Sequence, residues 1–156
     1  FSRREFAAGI AALERAAALN PNDTVVRATL ATYLIRTGEF EHGLEAARET
    51  LERNPLAPGY LYTTIGLRHY LAGDYDGALD ALARTRYQED VQTLILQAAA
   101  EGQLKRPGAR DRLEALREAD PGFEDAPMDE LRRYFLLEDS AAAVATGLRL
   151  AGLEID

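Results

Sequence analysis

The chain has 156 residues, 47% hydrophobic and 28% charged, with a formal net charge of −8 and no cysteine. That balance suits one soluble globular domain with a real core, excludes disulfides and thiolate metal sites, and disfavours non-specific attraction to nucleic acid or anionic lipid. No apolar run reaches the length of a membrane span, and the opening FSRREF lacks a signal peptide's apolar core. The expectation is therefore a cytoplasmic protein with no membrane partner and no direct nucleic-acid partner. Lys105 is the sole lysine among 18 basic residues and alanine is abundant, a pattern of coding bias expected from a GC-rich bacterial genome.

Helix-forming Ala, Leu, Glu and Arg dominate and nothing alternates with period two, so the predicted class is all-α. A first helix is expected over Arg3–Leu19. Asp23 can cap a second helix through VVRATLATYLIR, which Gly38 would stop with a left-handed residue. A third covers EHGLEAARETLER and ends before Asn54-Pro55, where proline cannot continue it. Pro58 opens a helix ending at Gly73, and DGALDALAR forms the next. Another is expected over Asp90–Glu101, stopped by Gly102, and another from Pro107 to Asp120-Pro121. The last two are placed at Met128–Phe135 and Ser140–Ala151, with Ser140 as a helix-start cap and Gly152 as the stop.

The stretches RTGEFEHGLEAA (Arg36–Ala47) and LAGDYDGALDAL (Leu71–Leu82) are near twins. Phe6 and Phe40, Gly9 and Gly43, and Pro21 and Pro55 recur at a spacing of 34, while Gly38 and Gly73, Phe40 and Tyr75, and Gly43 and Ala78 recur at 35. Each copy reads as a helical hairpin, with Gly43 or Ala78 allowing close approach and Phe40 or Tyr75 wedged in the corner. This pattern resembles the tetratricopeptide repeat, a helix–turn–helix unit of about 34 residues. The family's Leu-Gly pair falls on Leu30-Ala31 and Ile65-Gly66, its later small positions on Gly43, Ala47 and Ala78, and its closing proline on Pro21, Pro55 and Pro121. Asp90 stands where the middle copy should have proline. Arg27 and Tyr62 replace the family's tryptophan.

The resemblance implies an α-solenoid: a half repeat at 1–21, hairpins at 22–57, 58–89 and 90–121, and capping helices at 122–156. Leu131, Phe135, Val144, Leu148 and Leu153 would seal the last repeat. The ending from Asp120-Pro121-Gly122-Phe123 to GLRLAGLE also resembles, over a shorter stretch, the tails of repeat arrays in bacterial nucleotide cyclases and winged-helix regulators. The half repeat suggests a longer bacterial parent protein. It leaves Phe6, Ile10 and Leu13 to be covered by missing sequence or by a second copy in a homo-oligomer.

No phosphate loop, dinucleotide-type glycine string, nucleophile elbow or H-E-x-x-H motif is present. The serines are Ser2 and Ser140, the histidines His42 and His69. His42 reads as solvated and His69 as packed, so no metal site and no cofactor are expected. GDYDG at Gly73–Gly77 lacks the further oxygen ligands of a calcium loop, and capping explains Asp74 and Asp76. Asn22-Asp23-Thr24 fits a glycosylation sequon, but reads better as a helix start.

The chain is thus expected to be a non-enzymatic interaction module. Its candidate partner-binding groove comprises Ala28, Thr32, Ile35, Arg36, Tyr60, Thr63, Leu67, Tyr70, Gln92 and Leu96, lined by hydroxyls and tyrosines around apolar patches and suited to a protein or peptide ligand. The lining lacks the Lys and Asn of the carboxylate clamp found in chaperone-binding tetratricopeptide proteins. A competing expectation makes the chain a regulatory or sensory domain of a bacterial signalling protein.

Overall fold

The structure, a computed structural model, describes residues 3–156, with side chains from residue 5 onward; Ser2 lies outside the described residues. Among these residues the fold is all-helical. In chain order the helices are α1 (Arg3–Leu19), α2 (Thr24–Thr37), α3 (Phe40–Arg53), α4 (Tyr60–Leu71), α5 (Tyr75–Leu82), α6 (Val91–Gln103), α7 (Gly108–Ala119), α8 (Pro127–Tyr134) and α9 (Glu138–Ala151). A short 3-10 turn, Phe123–Asp125, precedes α8. Among the described residues no helix is long and apolar enough to cross a membrane.

The boundaries follow local chemistry. The Asp23 carboxylate accepts from Val26 N at 3.0 Å, and those of Asp74 and Asp90 accept from Gly77 N and Thr93 N at 2.9 and 3.1 Å. Each satisfies one of the orphan N–H groups at a helix start, a contribution of about 1 kcal/mol. Gly38 ends α2 with φ +98°, a conformation that a side chain would strain, and its N–H and that of Glu39 return to the carbonyls of Ile35 and Leu34. Pro127 sits in the first turn of α8, where its missing N–H has no partner to lose.

Helices pack in consecutive antiparallel pairs: α2 on α3, α4 on α5, α6 on α7. Gly43 and Ala78 are buried at the corners of the first two pairs, as the twin stretches require. A Cβ on Gly43 would sit 2.6 Å from Ile35 Cγ1 and 3.0 Å from Ala31 O, so only glycine admits this approach. The opening helices of the pairs lie side by side and parallel, stitched by hydroxyls. Thr29 Oγ1 meets Tyr60 Oη at 3.3 Å, Thr32 Oγ1 meets Thr64 Oγ1 at 3.0 Å, and Thr63 Oγ1 meets Thr93 Oγ1 at 3.1 Å. Because contacts 29–60 and 32–64 advance together along both helices, α2 and α4 run in the same direction. The last of these pairs is buried, so each hydroxyl satisfies the other where water is excluded.

The first helix packs on α2, with the Phe6 and Tyr33 rings edge-to-face at 5.5 Å. Phe6, Ile10 and Leu13 are therefore half-buried. At the other end, α9 makes an interface with α6 as extensive as those within the hairpins. Leu131, Phe135, Val144, Leu148 and Leu153 are all buried, in one core with Leu94, Ile95, Leu113 and Leu116, joined there by Phe123 and Ile155.

Two expectations about these ends change. Gly102 does not stop α6, which continues through Gln103; a Cβ there would lie 2.7 Å from Ala151 N, so this glycine exists for contact with α9. Ser140 is not a cap either, because α9 begins at Glu138 with Leu137 in the cap position, and Ser140 lies buried in the first turn. Gly147 completes the contact from the α9 side: a Cβ would sit 2.6 Å from Ala99 O and 2.9 Å from Ala99 Cβ.

Gly147→Ala is therefore expected to lower the unfolding free energy by about 1–3 kcal/mol through overpacking, while Asp80→Asn on the exposed face of α5 changes it by less than about 0.5 kcal/mol. Urea denaturation of the two variants checks this.

Candidate functional site

The candidate groove was expected along one face of the opening helices. Six of its ten residues lie in the interior instead. Ala28, Ile35 and Leu96 are at most 1% exposed, and Thr63, Leu67 and Tyr70 at most 5%. Thr32, Arg36, Tyr60 and Gln92 are half-buried.

Two causes account for the difference. One is the facing of α2, which α1, α3 and α4 all contact, so it buries side chains around most of its circumference. A helix apolar on nearly every side has no amphipathic stripe to mark its outer face. Its partly open stripe runs through Val25, Thr29, Thr32 and Arg36, at helical spacing, and not through Ala28 and Ile35.

The second cause is the C-terminal segment. Leu137 packs on Gly38 at the end of α2, the Tyr134 carbonyl accepts from Arg36 Nη2 at 3.1 Å, and the Ala143 carbonyl accepts from Tyr70 Oη at 2.8 Å. Beyond these, Gly147 and Ala151 lie on Ala99 and Gly102 of α6. The start of α9 and the loop before it thus pass the C-terminal ends of α2, α4 and α6 in turn. The chain covers its own wall there with a helix rich in alanine. The wall stays partly open at the N-terminal ends of the same helices, where Val25, Thr29, Thr32, Tyr60 and Gln92 lie. Val25 is 60% exposed, high for a branched apolar side chain.

Tyr70 holds the covered end together. Its hydroxyl donates to Ala143 O and accepts from Gln103 Nε2 at 3.4 Å, and its ring lies 5.2 Å from that of Tyr75. Burial pushes the Tyr70 phenol up to about 12. Arg36 is shifted the other way: burial lowers its guanidinium from the ordinary arginine value.

Neither histidine joins a constellation. His42 is exposed, and His69 is half-buried with Nδ1 2.8 Å from Asp74 Oδ2. Asp74 also caps α5, and its carboxyl is held below the usual range, first by the Gly77 N–H and then by His69. Asp76 is not a cap; it pairs with Arg106 across to the α6–α7 turn. Among the described residues no group of three His, Asp or Glu side chains is placed to hold one metal ion.

Family models, curated proteins and solved structures give no match to this chain.

The shifted phenol makes a pH signature. Its folded value of about 12 exceeds the ordinary 10.0, so the unfolded chain releases this proton first and stability falls as pH rises from about 10 to 12. Tyr70→Phe is expected to cost about 1 kcal/mol at pH 8 through the lost hydrogen bonds. The advantage of the native chain over this variant should then shrink by roughly 1–3 kcal/mol towards pH 12. Urea melts of both chains across this range test the shift.

Proposed function

We propose that the protein is a non-enzymatic interaction module, a short tetratricopeptide-type array whose partner is a protein or peptide. The parallel row of opening helices supports the array reading. Three hydroxyl contacts join residues 30–32 positions apart, as a stack of like hairpins would.

The docking surface in this reading is shorter than the full wall. It comprises Thr32, Tyr60 and Gln92 from the expected set, with Val25 and Thr29 added. The Tyr60 ring and the Gln92 carboxamide beside an exposed valine offer apolar contact with hydrogen-bonding capacity, the combination that holds an extended segment. The Thr29 and Thr32 hydroxyls are engaged within and between the helices. Arg36, Leu67, Tyr70 and Leu96 belong to the end closed by the chain itself. They support the fold and leave the partner to the other end. The observation that carries this division is the Tyr70–Ala143 hydrogen bond, which ties α9 across the wall.

The test is retention of partners on immobilised protein. Tyr60→Ala combined with Gln92→Ala is expected to lose proteins that the native chain retains, with an unchanged helical circular-dichroism signal. Identical recoveries would place binding elsewhere.

A further inference from the structure

A cavity of about 400 Å³ opens between α1, the end of α2 and the loop joining α8 to α9. Its apolar wall is Phe6, Ala7, Ile10, Leu136 and Leu137, and its polar groups are Arg36, Thr37 and Glu39. The Thr37 hydroxyl is committed, donating to the carbonyls of Tyr33 and Leu34. Neither charge has an ion-pair partner among the described residues.

Arg36 is unusual in this chain. The other half-buried arginines whose side chains are described each have a carboxylate: Arg27 has Glu49, Arg68 has Glu41 and Arg112 has Glu101. Arg36 has a single hydrogen bond, to the Tyr134 carbonyl, and no carboxylate; its Nε, like those of Arg27 and Arg68, is buried with no acceptor. A guanidinium offers five donors in a fixed fork, so one bond leaves most of its capacity unused in a partly desolvated place. Glu39 lies on the same cavity without pairing with Arg36 or with any other described cation. Gly38, left-handed at φ +98°, turns the chain between them. The turn therefore holds two opposite charges on one cavity beside an apolar wall, neither paired with an opposite charge among the described residues.

We propose that this cavity binds a free α-amino acid with an apolar side chain. Arg36 takes its carboxylate, Glu39 takes its ammonium group, and the side chain enters the wall formed by Phe6, Ile10, Leu136 and Leu137. The pairing of charges selects this class. A simple apolar carboxylate would satisfy Arg36 but face Glu39 across the site, and a simple amine would face Arg36. Only a ligand carrying both charges beside an apolar group neutralises both, and the volume lies in the range of small-molecule sites. The inference does not depend on the partner surface at the opposite end of α2, because the two share no residue.

Because the wall is shared by α1, α2 and the α8–α9 loop, an occupant would tie the first helix to the C-terminal segment. The experiment is isothermal titration calorimetry of the 156-residue chain with L-phenylalanine and L-leucine, beside 3-phenylpropanoate and 2-phenylethylamine. At least one amino acid is expected to bind, with both single-charge analogues of phenylalanine weaker than phenylalanine by at least about tenfold. Arg36→Gln should abolish binding. Glu39→Gln, at an exposed position where the fold is untouched, should bring phenylalanine down to the level of 3-phenylpropanoate. No heat from either amino acid up to about 10 mM would overturn the proposal. So would 3-phenylpropanoate or the amine binding as tightly as phenylalanine, or a Glu39→Gln chain that keeps the native preference.

Discussion

Close approach of α6 and α9 is the constraint on which the rest of the structure depends. Two glycines, Gly102 and Gly147, and the alanines Ala99 and Ala151 leave no room for a Cβ between the backbones. That proximity draws Ala141, Val144, Ala145 and Leu148 into the same core as Leu94, Ile95, Leu113 and Leu116. Burying a Val144 or Leu148 side chain stabilises by about 1.5–3 kcal/mol and an alanine methyl by less, so the interface is a main element of the fold. The row formed by the opening helices is thereby covered at their C-terminal ends.

The same contact divides the molecule by purpose. Where α9 and its preceding loop pass α2, α4 and α6, side chains of the opening helices bond to the C-terminal segment: Tyr70 donates to Ala143 O, and one nitrogen of Arg36 to Tyr134 O. Where α9 does not reach, Val25, Thr29, Tyr60 and Gln92 retain access to solvent. Surface ion pairs such as Arg132 with Glu138 and Asp129 decorate the exterior and add little to stability, since both charges of an exposed pair remain well solvated.

Much of the fold was legible in the sequence because its signals were local. Asp23, Gly38, Asn54-Pro55, Asp74 and Asp90 mark helix ends through hydrogen-bond and dihedral requirements that act within a few residues. The spacing of Gly43 from Ala78 reports the hairpin corners in the same way. Gly102 was misread for an instructive reason: near a helix end, a glycine that stops a helix and one that admits a neighbouring backbone look alike. Only the distant Gly147 and Ala151 separate them. Ser140 failed similarly, since capping was inferred from residue type while Leu137 already occupies that position.

The candidate groove was less legible. Its registry rested on choosing a face of α2, and α2 is apolar on most sides because three helices surround it. The covering of Tyr70 depends on a contact between residues 73 positions apart along the chain, its bond to Ala143, and no periodicity reports that. Hydrogen–deuterium exchange measured residue by residue is the most direct test of the central claim. The amides of α9 from Ala143 to Leu148 should exchange with those of α6, at the free energy of global unfolding. If α9 instead exchanges through local opening at least about 2 kcal/mol below that limit, it is a detachable tail, and the division of the wall into a closed end and an open end is wrong.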